Sequence, residues 1–200
     1  MKELIFATGN KSKIDRFYDK LKEQGVELIG IKDLNIKLEA EENGKNEIEN
    51  ATIKAEECYK KTKKASLGMD DALYLEGVPE DRQPGLFVRR VNGKELSDEE
   101  MIEHYIDLVN EFGKDGKLDA KWVYGMCLIN EKGEKHTYTW TKENFYMVNT
   151  RSDVINERYP LNSISKYKGI DKYFTDVTEE DKNSLKVDES DVIDFIIGSL

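Results

Sequence analysis

The first 31 residues carry a pattern that predicts a strand, a helix and a second strand. Residues 4–7 are a short apolar run, and after Gly9 and Asn10 the apolar positions recur at spacings of three and four, as on one face of a helix. Gly25 is placed to end that helix, and residues 26–31 have the character of a second strand. Because a β-α-β unit places its strands in parallel, the predicted class is α/β.

The middle of the chain predicts two helices around a pair of short strands. An apolar stripe from Ile48 to Thr62 predicts a helix on which Lys54 lies at the border between buried and exposed surface. Residues 67–69 and 73–75 predict short strands on either side of two aspartates. A capping-box pattern at 97–100 predicts the start of a helix that continues to residue 112.

The last third predicts a long hairpin and a closing helix. Residues 122–129 are apolar on both faces, as in a central strand, and a turn at 130–133 leads to a long partner strand that ends near residue 148. The tail from residue 188 predicts a final helix. Since no linker interrupts the pattern, we expect a single domain over residues 1–200 with a mixed sheet.

Composition and charge narrow the function classes. The chain has 200 residues, of which 38% are hydrophobic and 36% charged, and 31 basic against 41 acidic residues give a net charge of −10. This net negative charge argues against nucleic-acid and membrane partners. A phosphate ligand would therefore have to be bound by a few positively charged or N–H groups close to it. No apolar stretch approaches the roughly 20 residues that span a bilayer, which predicts a cytoplasmic protein. Cys58 and Cys127 are predicted to be buried thiols.

The turn before the first helix is the first candidate binding site. Residues 8–13 read Thr-Gly-Asn-Lys-Ser-Lys, and a helix start leaves backbone N–H groups that bind phosphate, with Thr8 and Asn10 as donors and Lys13 as counter-charge. The alternative is that Asn10 or Ser12 only caps the helix. The residues alone leave both interpretations open.

Acidic residues form the second candidate site. Glu39, Glu41 and Glu42 lie in a predicted loop, and Asp70 and Asp71 lie at a predicted strand end. Mg²⁺ prefers one or two carboxylates together with substrate phosphates. Because neighbouring strand residues face opposite ways, at most one of the two aspartates is expected to reach a given metal. A solvated acidic loop is the alternative. The two histidines, His104 and His136, are predicted to be structural.

Several motifs resemble the Ham1-like inosine triphosphate pyrophosphatase family. Thr8, Asn10 and Lys13 match its Thr/Ser-x-Asn-x-x-Lys signature. Residues 41–44 and 49–55 are similar to the acidic loop and the Glu-Asn-Ala-x-x-Lys-Ala helix of the family. The aspartate pair falls where the family has Ala-Asp-Asp-Ser-Gly-Leu, and residues 84–90 are similar to its Pro-Gly-Val-Tyr-Ser-Ala-Arg segment. These matches follow in order over roughly residues 1–90.

The resemblance implies a fold, an activity and a set of site residues. The implied fold is a two-lobed α/β domain with a long, twisted mixed sheet, flanking helices and a central cleft. The implied activity is Mg²⁺-dependent hydrolysis of a nucleoside triphosphate to monophosphate and pyrophosphate, which removes purine triphosphates such as ITP, XTP or dITP from the nucleotide pool. The resemblance also implies a homodimer. By position, the implied metal ligands are Glu42 and Asp71, and Asp71 is also the catalytic residue that orients or activates the attacking water. Asp70 is a possible second carboxylate. The implied phosphate contacts are Thr8, Asn10, Lys13, Lys54 and Lys182.

The last third departs from the family. Residues 178–183 are similar to its Thr-Pro-Glu-Glu-Lys-Asn segment, but the Ser-His-Arg triplet that follows is Lys186-Val187-Asp188 here. The Gly-Phe-Gly-Tyr-Asp-Pro stretch is only weakly matched at residues 159–163, so the base-binding residues stay unknown. Aromatic residues available for stacking are Tyr159, Tyr167, Tyr173 and Phe174. Two alternatives therefore remain: a different base specificity, or a nucleotide-binding or regulatory protein without catalysis.

Overall fold

The computed structural model describes residues 1–39, 43–157, 159–185 and 189–200. The strands are β1 Lys2–Phe6, β2 Val26–Gly30, β3 Ser66–Leu75, β4 Arg90–Val91, β5 Lys94–Glu95, β6 Lys117–Ile129, β7 Lys135–Val148 and β8 Ser165–Tyr167. The helices are α1 Lys11–Glu23, α2 Glu47–Thr62, α3 Asp98–Phe112, α4 Glu179–Ser184 and α5 Ser190–Ser199. The predicted α/β class is confirmed.

One large sheet has the order β2-β1-β3-β6-β7-β8. β1 lies between β2 and β3 and is parallel to both, whereas β7 and β8 are antiparallel, so the sheet is mixed as predicted. The parallel register of β1 and β2 pairs Leu4 with Leu28. This is the arrangement expected from the opening β-α-β pattern.

The chain divides into two compact units. Unit 1 comprises Met1–Asp71, Tyr124–Trp140 and Glu189–Leu200, and unit 2 comprises Ala72–Val123 and Thr141–Asp188. The core of unit 1 includes Leu4, Phe6, Phe17 and Leu21, none of which is exposed. The core of unit 2 is a separate cluster around Ile102, Tyr105 and Phe145.

Two predicted boundaries were wrong. β3 is one continuous strand of ten residues that runs through Asp70 and Asp71, not two short strands around them. β6 begins at Lys117, five residues before the predicted start. Both errors have one cause: polar residues in the strands interrupt the apolar run, but they are held in place by pairing with neighbouring strands.

Two glycines let α2 lie directly on the sheet. A Cβ at Gly68 of β3 would come within 1.9 Å of the Ala51 carbonyl oxygen, and one at Gly125 of β6 would come within 2.6 Å of the Glu47 carbonyl carbon. Any side chain at these two positions would displace the helix backbone. The glycines therefore set the height of α2 above β3 and β6.

The predictions for the two cysteines and for the start of α3 agree with the described residues. Cys58 and Cys127 are free, fully buried thiols. Ser97 and Glu100 form the predicted capping box of α3. None of the described helices is long and apolar enough to cross a membrane.

Candidate functional site

The turn between β1 and α1 is capped by its own side chains. Asn10 precedes α1, and its side-chain oxygen accepts a hydrogen bond of 3.0 Å from the Ser12 backbone N–H. The hydroxyl oxygen of Thr8 accepts one of 3.1 Å from the Asn10 N–H. Asn10 is therefore the N-cap of α1. The amide of Asn10 and the hydroxyl of Thr8 nevertheless keep donor hydrogens, so capping and phosphate binding are compatible.

Lys13 reaches from the first turn of α1 to β3. Its amine is in an ion pair with Asp71, and the two side chains are 17% and 26% exposed. The pair is thus half-buried and still open to solvent. This contact joins two residues that are 58 positions apart, and it places the predicted phosphate contact beside the predicted catalytic acid.

Asp70 of β3 faces α2. Its two carboxylate oxygens accept a 2.9 Å hydrogen bond from the Asn50 side-chain amide and a 3.1 Å bond from the Lys54 amine. Asn50 and Lys54 are four residues apart on α2, which puts them on the same face of the helix. Both side chains of the Lys54–Asp70 pair are only 14% exposed.

The two adjacent aspartates therefore have separate partners. Asp70 turns to α2 and Asp71 turns to α1, as expected for neighbouring residues of one strand. Each carboxylate is matched by its own lysine, which lowers the repulsion between them. Within unit 1 the structure thus pairs Lys13 with Asp71 and Lys54 with Asp70, as two ion pairs on opposite faces of β3.

Arg16 adds a second cation on the same side of α1, which the sequence analysis did not identify. Its guanidinium donates to both carboxylate oxygens of Glu189 through Nε, at 2.9 and 3.0 Å. It also lies 4.6 Å from the ring centroid of Tyr124. Arg16 is three residues after Lys13, so helix spacing was the one available signal, but its partner Glu189 is 173 positions away.

The Tyr124 phenol is a buried group close to these charges. Burial raises its pKa, and the negative charges of Asp71 and Glu189 raise it further, while Arg16 acts in the opposite direction. The phenol therefore stays protonated over the physiological range. Its ring also stacks on Trp140 with a centroid distance of 4.9 Å.

The side chains present fit a metal ion that binds together with substrate phosphates better than one that is coordinated by protein groups alone. Among the residues that the structure describes, no three His, Cys, Asp or Glu side chains form a group that could hold a metal ion. Glu42, one of the two predicted ligands, lies outside the described residues. Asp71 remains as a partly exposed carboxylate, and Mg²⁺ commonly takes one or two carboxylates together with substrate oxygens.

Some other candidate residues from the sequence lie in unit 2 and have different partners. Lys182 belongs to unit 2, where its amine is 2.6 Å from a Glu179 carboxylate oxygen. The rings of Tyr167 and Phe174 are in contact within unit 2, with centroids 4.2 Å apart and planes tilted by 31°. His104 packs edge-on against Tyr105, and burial lowers its pKa, in agreement with a structural histidine.

The fold and these ion pairs define the class of the protein: an α/β chain in which the first two helices each pair a lysine with an aspartate of the third strand. A profile described as the Ham1 family matches residues 4–149. The chain therefore belongs to the Ham1 family, as the sequence motifs predicted.

Two curated relatives and one solved structure resemble most or all of the chain. The dITP/XTP pyrophosphatase of Halalkalibacterium halodurans is 27% identical over 185 residues, which cover 92% of each chain. The dITP/XTP pyrophosphatase of Leptospira interrogans is 26% identical over 185 residues, 92% of this chain and 90% of the relative. The structure of the Staphylococcus aureus Ham1 protein matches with a TM-score of 0.75 and 23% identity over all of both chains.

Proposed function

We propose that this protein hydrolyses a nucleoside triphosphate to a nucleoside monophosphate and pyrophosphate, as a hydrolase acting on an acid anhydride. The observation that carries the proposal is the arrangement of Lys13 with Asp71 and Lys54 with Asp70 on adjacent residues of β3. Similarity to proteins named dITP/XTP pyrophosphatase over 92% of the chain supports it.

Lys13 and Lys54 attract the negatively charged triphosphate at close range, although the protein as a whole is acidic. At an effective dielectric constant of 20, one ammonium about 4 Å from a phosphate charge gains about 4 kcal/mol before desolvation is subtracted. The remaining charges of a chain with net charge −10 are screened beyond about 8 Å at physiological salt. We assign Lys13 and Lys54 as phosphate contacts, together with Thr8, Asn10 and Lys182.

Asp71 is the proposed catalytic carboxylate because it is the more exposed of the two aspartates. In this assignment its carboxylate holds and orients the attacking water, and Lys13 limits the charge that builds up beside it. Asp70 has both oxygens bound by α2, so it is a second carboxylate that fixes the position of Lys54.

Mg²⁺ is the proposed cofactor, with Glu42 and Asp71 as its protein ligands. When bound, the metal would neutralise phosphate charge and make a bound water more acidic. The residues of this chain then have to keep Asp71 accessible, and in its pair with Lys13 the Asp71 side chain stays 26% exposed.

The test is pyrophosphate release from a panel of triphosphates with Mg²⁺, including dITP, XTP, ITP, ATP and GTP. We expect turnover of at least one purine triphosphate, with dITP or XTP favoured. Asp71→Asn should lower kcat by about 10²-fold or more, whereas Asp19→Asn on the exposed side of α1 should leave it unchanged. No turnover of any triphosphate by the wild-type protein would overturn the proposal.

The departure at residues 186–188 favours a changed base preference as the second candidate. Under this alternative, a triphosphate other than ITP, XTP or dITP has the highest kcat/KM in the panel. A nucleotide-binding or regulatory protein without catalysis would instead bind triphosphates tightly in both the wild type and Asp71→Asn, with hydrolysis in neither.

The proposed setting is the cytoplasm, with a homodimer as the assembly and no nucleic-acid or membrane partner. Removal of aberrant purine triphosphates from the nucleotide pool is the role that fits this activity. Light scattering of the purified protein checks the assembly, and a mass of one 23.1 kDa chain would contradict the dimer.

A further inference from the structure

Asn50 connects two parts of the proposed site through a single buried amide. The side chain is 3% exposed. Its oxygen accepts a 2.9 Å hydrogen bond from the Gly44 backbone N–H, and its NH₂ group donates one of 2.9 Å to Asp70. A single planar group thus spans from the segment before α2 to the middle of β3.

The chain around Gly44 is shaped to make this contact. A Cβ at Gly44 would lie 2.6 Å from the Asn50 side-chain oxygen and 2.8 Å from the Asn50 backbone nitrogen. Only glycine therefore allows the backbone to approach this closely. The neighbouring Lys45 N–H donates to Glu49 at 2.8 Å, so two successive backbone amides are held by side chains of the first turn of α2.

The other end of the amide determines the orientation of Asp70. With Asn50 on one oxygen and Lys54 on the other, the Asp70 carboxylate cannot rotate without losing a hydrogen bond. Asp71 follows directly in β3, so a displacement of the Asp70 backbone would also displace Asp71. Glu42 precedes Gly44 by two residues in the sequence.

We propose that Asn50 is a positioning residue, which holds the Gly44 backbone and the Asp70 carboxylate in one arrangement so that Mg²⁺ and triphosphate meet ligands already in place. This inference rests on the proposed function. It assigns to Asn50 no contact with the substrate or the metal, and its effect is transmitted through Gly44 and Asp70.

Asn50→Asp is the sharpest variant, because it keeps the acceptor for Gly44 and replaces the donor to Asp70 with a second carboxylate oxygen. Asn46→Asp is the matched control. Asn46 is the N-cap of the same helix and accepts from the Glu49 N–H at 2.9 Å, which a carboxylate does equally well. The two variants make the same chemical change four residues apart.

The main measurement is the Mg²⁺ concentration that gives half-maximal binding of the α,β-methylene analogue of dITP, which cannot be cleaved. We expect Asn50→Asp to raise this concentration by about tenfold or more, a change comparable with the loss of an outer-shell hydrogen bond at a metal site. Asn46→Asp should stay within about twofold of wild type. A general loss of folded protein would lower the amount of binding without shifting this concentration.

Gly44→Ala is a second variant that leaves Asn50 and both aspartates intact, so it decides the matter if Asn50→Asp does not fold. It should shift the Mg²⁺ requirement in the same direction. An unshifted requirement in a folded Asn50→Asp or Gly44→Ala protein that binds the analogue, with an active wild type, overturns this inference alone. A wild type that cleaves no triphosphate overturns the proposed function and this inference with it.

Discussion

Asp70 and Asp71 are neighbours in β3, but the structure gives them different surroundings. Asp70 is held from two sides by α2, whereas Asp71 meets one lysine and keeps 26% of its side chain exposed. A carboxylate that is fully occupied by donors serves best as an anchor, and one that keeps an open side can meet a ligand. The assignment of roles follows from this difference.

At the residue scale, Lys13 is the cation whose loss should affect chemistry most. Lys13→Met leaves Asp71 without its partner and removes a phosphate contact, so we expect kcat/KM for the best triphosphate to fall by about 10²-fold. Lys20→Met, in the last turn of the same helix, should change it by less than about twofold. Equal values for the two variants in a steady-state pyrophosphate assay would contradict the role of Lys13.

The residue types of the site could be predicted from the sequence, but their pairing could not. Opposite orientations of Asp70 and Asp71 follow from strand geometry alone. The contact of Lys13 with Asp71 depends on β3 lying next to β1, and that of Arg16 with Glu189 depends on the last helix packing near the first. Both contacts join residues that are far apart in the sequence, so local sequence patterns do not predict them.

At the element scale, α2 holds the Asp70 carboxylate of the site because the helix lies so close to β3. Gly68 lies beneath the helix backbone, and on the same helix Asn50 and Lys54 then reach Asp70 directly. Because the backbones of α2 and β3 are so close, Asn50 and Lys54 are near enough to bond Asp70. The periodicity predicted the helix, but the glycines of the strands gave no sign of how near it lies.

Gly68→Ala should therefore be strongly destabilising. Its Cβ would overlap the Ala51 carbonyl oxygen, which forces α2 to move and costs about 1–3 kcal/mol or more. Gly198→Ala in α5 is the matched control, since no atom lies within 4 Å of its added Cβ. It should stabilise the protein by about 0.5–1 kcal/mol through helix propensity. Urea unfolding of both variants checks the difference, and similar midpoints would contradict the close packing.

The capping box of α3 predicts a specific pH dependence. Hydrogen bonds from Lys94 and then Ser97 lower the pKa of Glu100 from 4.5 to about 2. A lowered pKa in the folded state means that the stabilisation is complete above the ordinary pKa and is lost as the pH falls toward 2. The stability difference between wild type and Glu100→Gln should thus narrow from pH 5 to pH 2.

Urea midpoints measured across this pH range provide the check for Glu100. The exposed Glu103→Gln on the same helix serves as the control and should give a smaller difference that does not follow this profile. A difference for Glu100→Gln that is constant with pH would show that the charged form is not the one stabilised by the cap.

At the scale of the whole molecule, unit 1 is assembled from the beginning, the middle and the end of the chain. α5 contributes Ile196, which is fully buried, and Phe195, whose ring stacks on Tyr138 at 5.1 Å. The closing helix was predicted from its apolar residues. The sequence did not predict that α5 belongs to the same unit as β1, because no local pattern indicates that the two ends of the chain fold together.

Ile196→Ala tests how much this last helix contributes to folding. Removal of a fully buried isoleucine side chain should lower the free energy of unfolding by about 2–5 kcal/mol. The adjacent Ile197 is only partly buried, so Ile197→Ala should cost about 1 kcal/mol. Chemical denaturation followed by circular dichroism measures both, and equal losses would contradict the packing of α5.

The two buried thiols give a way to observe one unit by itself. Cys58 and Cys127 are the only cysteines of the sequence, both belong to unit 1, and burial raises the pKa of each. A protonated, enclosed sulfur does not react with an alkylating reagent, so labelling under native conditions requires a transient opening around it. The alkylation rate therefore reports how often unit 1 opens and is blind to fluctuations confined to unit 2.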